Sequence, residues 1–210
     1  CLADYLFAPT HDACLNLRDE GIDDNKIFNT GDVMLDAVKL FAQSNESITD
    51  VRSKYRADGR PLILATIHRA ANTDDRDRLC GIVKALIAIA QRANLVIPVH
   101  PRTKKRLEQF EIEFLGRIVM LPPVGYSEML ALQRAADLVL TDSGGIQKEA
   151  FFNSVPCVTI REETEWVELV QLGWNTLVNP DDSEAIISTV FEKIGTKGEN
   201  ANPYGDGDAA

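Results

Sequence analysis

The chain has 210 residues, 45% of them hydrophobic and 26% charged, which suits a soluble globular protein with a sizeable core in one large or two small domains. Its formal net charge of −10 argues against a general nucleic-acid or membrane-surface binder, though not against a phosphate ligand met by local amides and a few cations. Cys1, Cys14, Cys80 and Cys157 have no metal-ligand spacing, and no stretch is long and apolar enough to span a bilayer. The expectation is a cytoplasmic protein with reduced thiols, no metal, no cofactor and no signal peptide.

In chain order, Ala3 to Pro9 reads as a short strand and His11 starts a helix. Lys26 to Thr30 is short and extended. Asp32 to Gln43 reads as a helix with Asp32 as its N-cap, and Ile48 to Ala57 as another. Pro61 to Ile67 is a buried strand, followed by a polar loop, His68 to Thr73. Asp74 to Arg92 is a long amphipathic helix carrying Leu79, Ile82, Val83, Leu86, Ile87 and Ile89. Then come a strand at Leu95 to Val99, a helix at Arg102 to Phe110, a strand at Arg117 to Leu121 and a helix at Ser127 to Arg134. Leu138 to Thr141 is a strand, and Ile146 to Phe152 begins a helix. Pro156 to Ile160 is a strand, and Asp182 to Ile194 the last clear helix. The chain opens without an initiator Met and closes on a loop-like Asn202 to Ala210, so a fragment of a longer protein is expected. Residues 1–25 read as the end of a neighbouring domain and 26–210 as a second domain.

Strands that are almost continuously apolar and alternate with helices imply a Rossmann-like parallel sheet covered by helices on both faces. Ligands of such sheets bind at the carboxyl ends of the strands. The loops leaving those ends hold His68-Arg69-Ala70-Ala71-Asn72, His100-Pro101-Arg102, Pro122-Pro123-Val124-Gly125-Tyr126, Ser143-Gly144-Gly145 and Arg161-Glu162-Glu163-Thr164-Glu165. The unusual polar clusters of the chain thus share one sheet edge.

Ser143-Gly144-Gly145 is the most informative of them. A strand that breaks on Ser-Gly-Gly into a helix presents unpaired N–H groups and a positive dipole end to an anion. Two glycines let a diphosphate approach the backbone, and Glu149, a turn further on, can accept from a ribose. A plain tight turn is the alternative. No Gly-Lys-Ser/Thr follows, so this is no P-loop, and the three-glycine dinucleotide fingerprint is missing too. His68 and His100, two of the three histidines, each end a strand on this edge and suit proton transfer or donation to phosphate. Arg69 and Arg102 are candidate cations for a diphosphate, whereas Lys104, Lys105 and Arg106 read as a solvated helix face. Tyr126 and Met129 can form an apolar slot for a base, with a core role equally open for Met129. Arg161, Glu165 and Trp166 complete the candidates, and the carboxylates Glu162, Glu163 and Glu165 read as solvent-facing rather than as a catalytic pair.

At this point the residues resemble a known family, the non-hydrolysing UDP-N-acetylglucosamine 2-epimerases. The likeness rests on Thr141 to Ala150, Val155-Pro156-Cys157-Val158, Arg161 with Thr164-Glu165, Phe7-Ala8-Pro9-Thr10, Gly31-Asp32 with Asp36-Ala37, Thr66-Ile67-His68-Arg69, Pro98-Val99-His100 and Asn202 to Gly207. It covers nearly the whole chain in order. It implies one half of a GT-B-type two-domain fold, the carboxyl-terminal UDP-binding domain with the last part of the amino-terminal one. The implied reaction inverts C2 of UDP-N-acetylglucosamine to give UDP-N-acetylmannosamine, through elimination and re-addition of UDP. The resemblance assigns His68 to the active site near the phosphates, Ser143, Gly144 and Gly145 to the diphosphate, Glu149 to the ribose, and Val124 and Met129 to the uracil. Ala71 stands where the family often has Glu, and Trp166 where many members have a UDP-binding Arg. The Thr164-Glu165-Trp166-Val167-Glu168 version looks like that of archaeal members and of epimerases acting on UDP-2,3-diacetamido-glucuronate.

The resemblance also implies a homodimer of the full-length protein, and acid–base carboxylates in an amino-terminal domain absent from this chain. The chain alone is then expected to be inactive. Two rivals stand beside the epimerase reading: a GT-B-fold UDP-sugar glycosyltransferase, and a UDP-sugar-binding module without catalysis.

Overall fold

A computed structural model describes residues 3–41, 48–56 and 58–210, so the expected helix ends at Gln43 and Ala57 lie outside the described residues. The chain forms two compact units, Cys1–Ser44 with Asn200–Ala210 and Asn45–Glu199. The first unit therefore runs past residue 25 and takes in the last residues of the chain.

In the first unit β1 (Leu6–Ala8) pairs in parallel with β2 (Ile27–Asn29) through α1 (His11–Asp19). Thr10 caps α1 by accepting from the Ala13 amide at 3.1 Å. Asp32 does the same for α2 (Val33–Phe41), accepting from the Met34 amide at 2.8 Å. The closing segment folds back into this unit. Tyr204 is 1% exposed and its carbonyl accepts from the Asp32 amide at 3.0 Å. Gly31, at φ +80°, sits so close that a Cβ would lie 2.8 Å from that carbonyl, which explains the glycine.

The second unit begins with α3 (Ile48–Tyr55) and then alternates strand and helix. Its order is β3 (Leu62–Thr66), α4 (Ala70–Thr73), α5 (Arg76–Ala90), β4 (Asn94–Pro98), α6 (Pro101–Phe110), β5 (Ile118–Leu121) and α7 (Tyr126–Ala135). There follow β6 (Leu138–Thr141), α8 (Gly144–Phe152), β7 (Cys157–Ile160), α9 (Val167–Gln171), β8 (Asn175–Val178) and α10 (Ser183–Lys193). Among the described residues these strands make one six-stranded sheet, ordered β5-β4-β3-β6-β7-β8, with every neighbouring pair parallel. The expected architecture is the one observed.

The pleat sorts the apolar runs onto two faces. Ile63 and Ala65 of β3, with Leu138 and Leu140 of β6, pack under α5 and α10 through Leu79, Ile82, Leu86, Ile186 and Val190. Leu62 and Leu64, with Val139, face α3, α7 and α8 through Val51, Leu132, Ala135 and Ala150. Both faces of the central strands are covered, so Leu64→Ala would cost about 2–5 kcal/mol.

Three differences from expectation matter. The polar loop after β3 contains a helix, α4, because Asn72 and Thr73 are buried at 2% and 0% exposure rather than solvated. Helix α8 starts at Gly144, two residues earlier than expected, which places both glycines inside its first turn. The sequence also gave no sign of α9 or β8. The strand order reverses between β3 and β6, and at this switch point the exits of two neighbouring strands diverge and leave a crevice.

Candidate active site

The crevice lies between the β3 exit, His68, and the β6 exit, Asp142-Ser143. Beside it, on the β4 and β5 side, a cavity of about 260 Å³ is lined by Thr66, Ile67, His68, Pro98, His100, Pro123, Val124, Met129 and Ile146. It brings together two candidate histidines and both candidate uracil contacts. The rings of His68 and His100 have centroids 5.7 Å apart. His100 is also the N-cap of α6, its Nδ1 accepting from the Arg102 amide at 3.1 Å with Pro101 at the first helical position. That ring nitrogen is thereby occupied.

Ser143 is the N-cap residue of α8, yet its side chain makes no capping hydrogen bond. Its own amide donates to Thr141 Oγ1 at 2.9 Å, and Thr141 Oγ1 meets Thr66 Oγ1 at 2.6 Å. The start of α8 at Gly144 and Gly145 thus has no side-chain cap among the described residues, next to the cavity residue Ile146. This is the arrangement an anion requires.

The turn is braced from behind. Trp166 Nε1 donates to the Gly144 carbonyl at 2.9 Å, and Lys148 Nζ lies 4.0 Å from the indole centroid. Gln147 Nε2 donates to the Ser143 carbonyl at 3.2 Å, while its Oε1 accepts from Thr164 at 2.6 Å and Asn175 at 2.9 Å. Arg161, 5% exposed, holds Glu165 through two hydrogen bonds of 2.8 and 2.7 Å. This pair pulls the Glu165 carboxyl down to about 2. A Cβ on Gly144 would lie 3.5 Å from Glu165 Oε2 and 3.9 Å from Arg161 Nη1, so the pair sits beside the turn. Arg161 Nε is buried without a partner among the described residues.

Glu149, in α8, is 7% exposed and accepts from Gln133 Nε2 at 2.7 Å and from the Tyr126 hydroxyl. Burial raises its carboxyl above the ordinary carboxylate range, against the pull of Gln133, Tyr126 and Lys148. Tyr126, partly buried and facing that carboxylate, is pushed up to about 12. Tyr126 therefore serves Glu149 here and is not among the residues lining the cavity.

Of the two candidate cations, one is engaged elsewhere. Arg102 is bound to Asp74 at 2.6 Å, a carboxylate it shares with Arg106 at 2.9 Å. The Arg69 amide donates to Asp142 Oδ2 at 2.9 Å, while its guanidinium lowers the Glu165 carboxyl through charge, beside the glycine turn. Ala71 presents its carbonyl to Arg78 Nη1 at 3.2 Å. Sequence reasoning missed Asp142, a 1%-exposed carboxylate that receives the His68, Arg69 and Asn72 N–H groups. A signal was available, an Asp between a buried strand and a glycine turn, but it reads as an ordinary turn residue. Among the described residues no group of three or more His, Cys, Asp or Glu is placed to hold a metal ion, and no helix is long and apolar enough to cross a membrane.

Comparison with known proteins gives this geometry a family. A family model described as UDP-N-acetylglucosamine 2-epimerase matches residues 1–210. The chain is 45% identical to a UDP-2,3-diacetamido-2,3-dideoxy-D-glucuronate 2-epimerase of Pseudomonas aeruginosa, covering 100% of this chain and 58% of that protein. It is 42% identical to a UDP-N-acetylglucosamine 2-epimerase homolog of Methanococcus maripaludis, covering 100% and 59%. The crystal structure of the Methanocaldococcus jannaschii UDP-GlcNAc 2-epimerase, in complex with UDP-GlcNAc and UDP, superposes with a TM-score of 0.86 at 39% identity, covering 99% and 59%. The chain thus spans about 59% of the length of these relatives, and its sheet is one half of their GT-B-type fold. On the match of the family model to the whole chain, and on relatives at 42–45% identity that cover all of it, the chain belongs to the UDP-N-acetylglucosamine 2-epimerase family.

Proposed function

We propose that the full-length protein epimerises UDP-N-acetylglucosamine at C2, and that this chain supplies the UDP-binding half of its active site. The observation that carries this is the uncapped α8 start at Ser143-Gly144-Gly145, set beside the His68 cavity. The α8 amides take the diphosphate, where the helix dipole and close backbone approach both favour negative charge. Val124 and Met129 take the uracil in the apolar part of the cavity, and Glu149 accepts from the ribose hydroxyls.

Elimination removes the C2 proton, forms a C1=C2 double bond and breaks the bond from C1 to the UDP oxygen. Charge then grows on the diphosphate, and the α8 amides stabilise it where it develops. His68, at the cavity wall, donates to that diphosphate as it leaves. Re-addition runs the steps backwards after C2 is reprotonated on the other face. The proton transfers at C2 belong, in this reading, to an amino-terminal domain to which the first unit, Cys1–Ser44 with Asn200–Ala210, contributes. A cytoplasmic homodimer is the proposed setting.

The test is incubation of the full-length protein with UDP-N-acetylglucosamine in D₂O. Deuterium at C2 and formation of the manno epimer are expected, and a fully retained C2 proton sinks the epimerase reading in favour of a glycosyltransferase or a binding module. The likeness to the Pseudomonas enzyme makes its diacetamido-glucuronate the rival substrate, so the same exchange is measured with both. The chain of residues 1–210 alone is expected to bind UDP without exchanging C2.

A further inference from the structure

Asp142 joins the two strand exits that make the crevice. It stands between Thr141, the last residue of β6, and Ser143, the cap residue of α8. Its backbone N–H donates to the Thr66 carbonyl at the end of β3, at 3.2 Å. Its carboxylate, 1% exposed, accepts from the His68 amide at 3.1 Å to both oxygens and from the Arg69 amide at 2.9 Å. Asn72 Nδ2 lies 3.2 Å from Oδ2 and 3.1 Å from the Ile160 carbonyl, which adds the end of β7 to the same knot. A carboxylate taken out of water this fully survives because dipoles replace its hydration.

Two further groups act on it, the buried Arg161 guanidinium through charge and the His68 ring at close range. His68 Nδ1 is 3.3 Å from Asp142 Oδ1, and the His68 side chain is 40% exposed on its other side, where it lines the cavity. A carboxylate beside one imidazole nitrogen favours the proton there and directs the other nitrogen outward. His100 is not placed to substitute, since its Nδ1 is taken as the cap of α6.

We propose that Asp142 is the positioning residue of this site: it keeps the His68 proton on Nδ1, so that Nε2 faces the cavity, and it ties the histidine loop to the diphosphate turn. The role in turnover rests on the epimerase reading. The role in the tautomer does not.

The experiment uses the full-length protein. Long-range ¹⁵N–¹H spectra, with His68 assigned by difference from His68→Gln and recorded where the ring is neutral, read the tautomer directly. The Nδ1–H form is expected, and the Nε2–H form overturns the proposal whether or not the protein epimerises anything. Asp142→Asn then tests the consequence. Asn is the same size but brings a donor toward donors, so kcat is expected to fall about 100-fold or more with KM and UDP affinity within about threefold. A kcat within about threefold of wild type overturns the proposal, and so does a kcat loss matched by an equal loss of UDP affinity, which marks a merely structural residue. If Asp142→Asn does not fold, the wild-type tautomer decides alone.

Discussion

Strand β6 is bracketed by two aspartates, and the edge each one serves explains its surroundings. At the entry, Asp137 exchanges backbone contacts with β3: its amide donates to the Leu62 carbonyl at 2.7 Å and its Oδ2 accepts from the Leu62 amide at 2.8 Å. At the exit, Asp142 repeats the pattern, donating to Thr66 and accepting from His68. The two then diverge. Asp137 Oδ1 lies 3.2 Å from Arg56 Nη1 and 3.9 Å from Arg52 Nη2, so the cations of Arg52, in α3, and Arg56, just after it, offset its charge. Asp142 takes its hydrogen bonds from N–H dipoles and faces an imidazole, with Arg161 acting on it through charge rather than a hydrogen bond. Asp137 lies against cations that belong to the fold, whereas Asp142 lies against the histidine and the glycine turn of the cavity edge.

The comparison breaks most sharply at the exit edge. Ser143→Trp fills the turn and shields the α8 amides, each of which contributes about 1.5–3 kcal/mol when it meets a charged acceptor. Titration calorimetry should show UDP affinity reduced at least about 100-fold, to the loss of measurable heat. An unchanged affinity would remove the site from this edge. At the entry edge, Asp137→Ala strips the Leu62 amide and Arg56 of their partner and should lower Tm by roughly 4–8 °C while UDP affinity stays within about twofold. Equal damage to binding would mean that the two edges are not separable.

Two glutamates sharpen the contrast through pH. Burial raises the Glu149 carboxyl, so the folded protein holds that proton more tightly than the unfolded chain. Stability is therefore lost as pH rises from the ordinary value of 4.5 through the raised folded one. Glu149→Gln should raise Tm by about 2 °C at pH 8, with the gap closing below pH ~4.5, while weakening UDP about tenfold or more. Glu165 runs the other way. Arg161 lowers its carboxyl from 4.5 to about 2, so the pair contributes fully above 4.5 and is lost as pH falls through about 2. Its side chain is 55% exposed, so Glu165→Gln should cost under ~1 kcal/mol at pH 7, flattening only the acid limb of a stability–pH curve. Smallest is Trp166→Phe, which removes the donor to the Gly144 carbonyl but keeps a ring for Lys148. A loss of about threefold in UDP affinity is expected from one neutral hydrogen bond.

The central strands were legible because both their faces are buried, which writes them as unbroken apolar runs such as Leu62 to Thr66 and Leu138 to Thr141. Strand β8 was not, since it opens on Asn175, a polar residue that is 2% exposed and satisfied by Gln147 and Thr159 rather than by water. A buried Asn reads as a turn until its partners are known. Helix α9, five residues long, is too short to show a period. The glycine turn and both histidines could be placed on one edge from strand order alone. Which polar residues point at the crevice could not. Arg102 looked as well placed as His100, yet Asp74 draws it away. Asp142 looked ordinary, because what sets it apart is burial and three N–H donors distributed over residues 68–72.

The return of Asn200–Ala210 to the first unit has a consequence for the order in which the molecule assembles. The second unit is an insertion of about 155 residues between two pieces of the first. Those pieces, joined by the Asp32 amide on the Tyr204 carbonyl and by Lys39 Nζ on the Asp206 carbonyl, meet only across a very long loop. Closing such a loop in an unfolded chain costs several kcal/mol, about 5 by the chain-entropy relation. Folding of the insertion removes that freedom beforehand, so the first unit should form last during refolding. In hydrogen exchange its amides, Asp32 among them, should be the first to open.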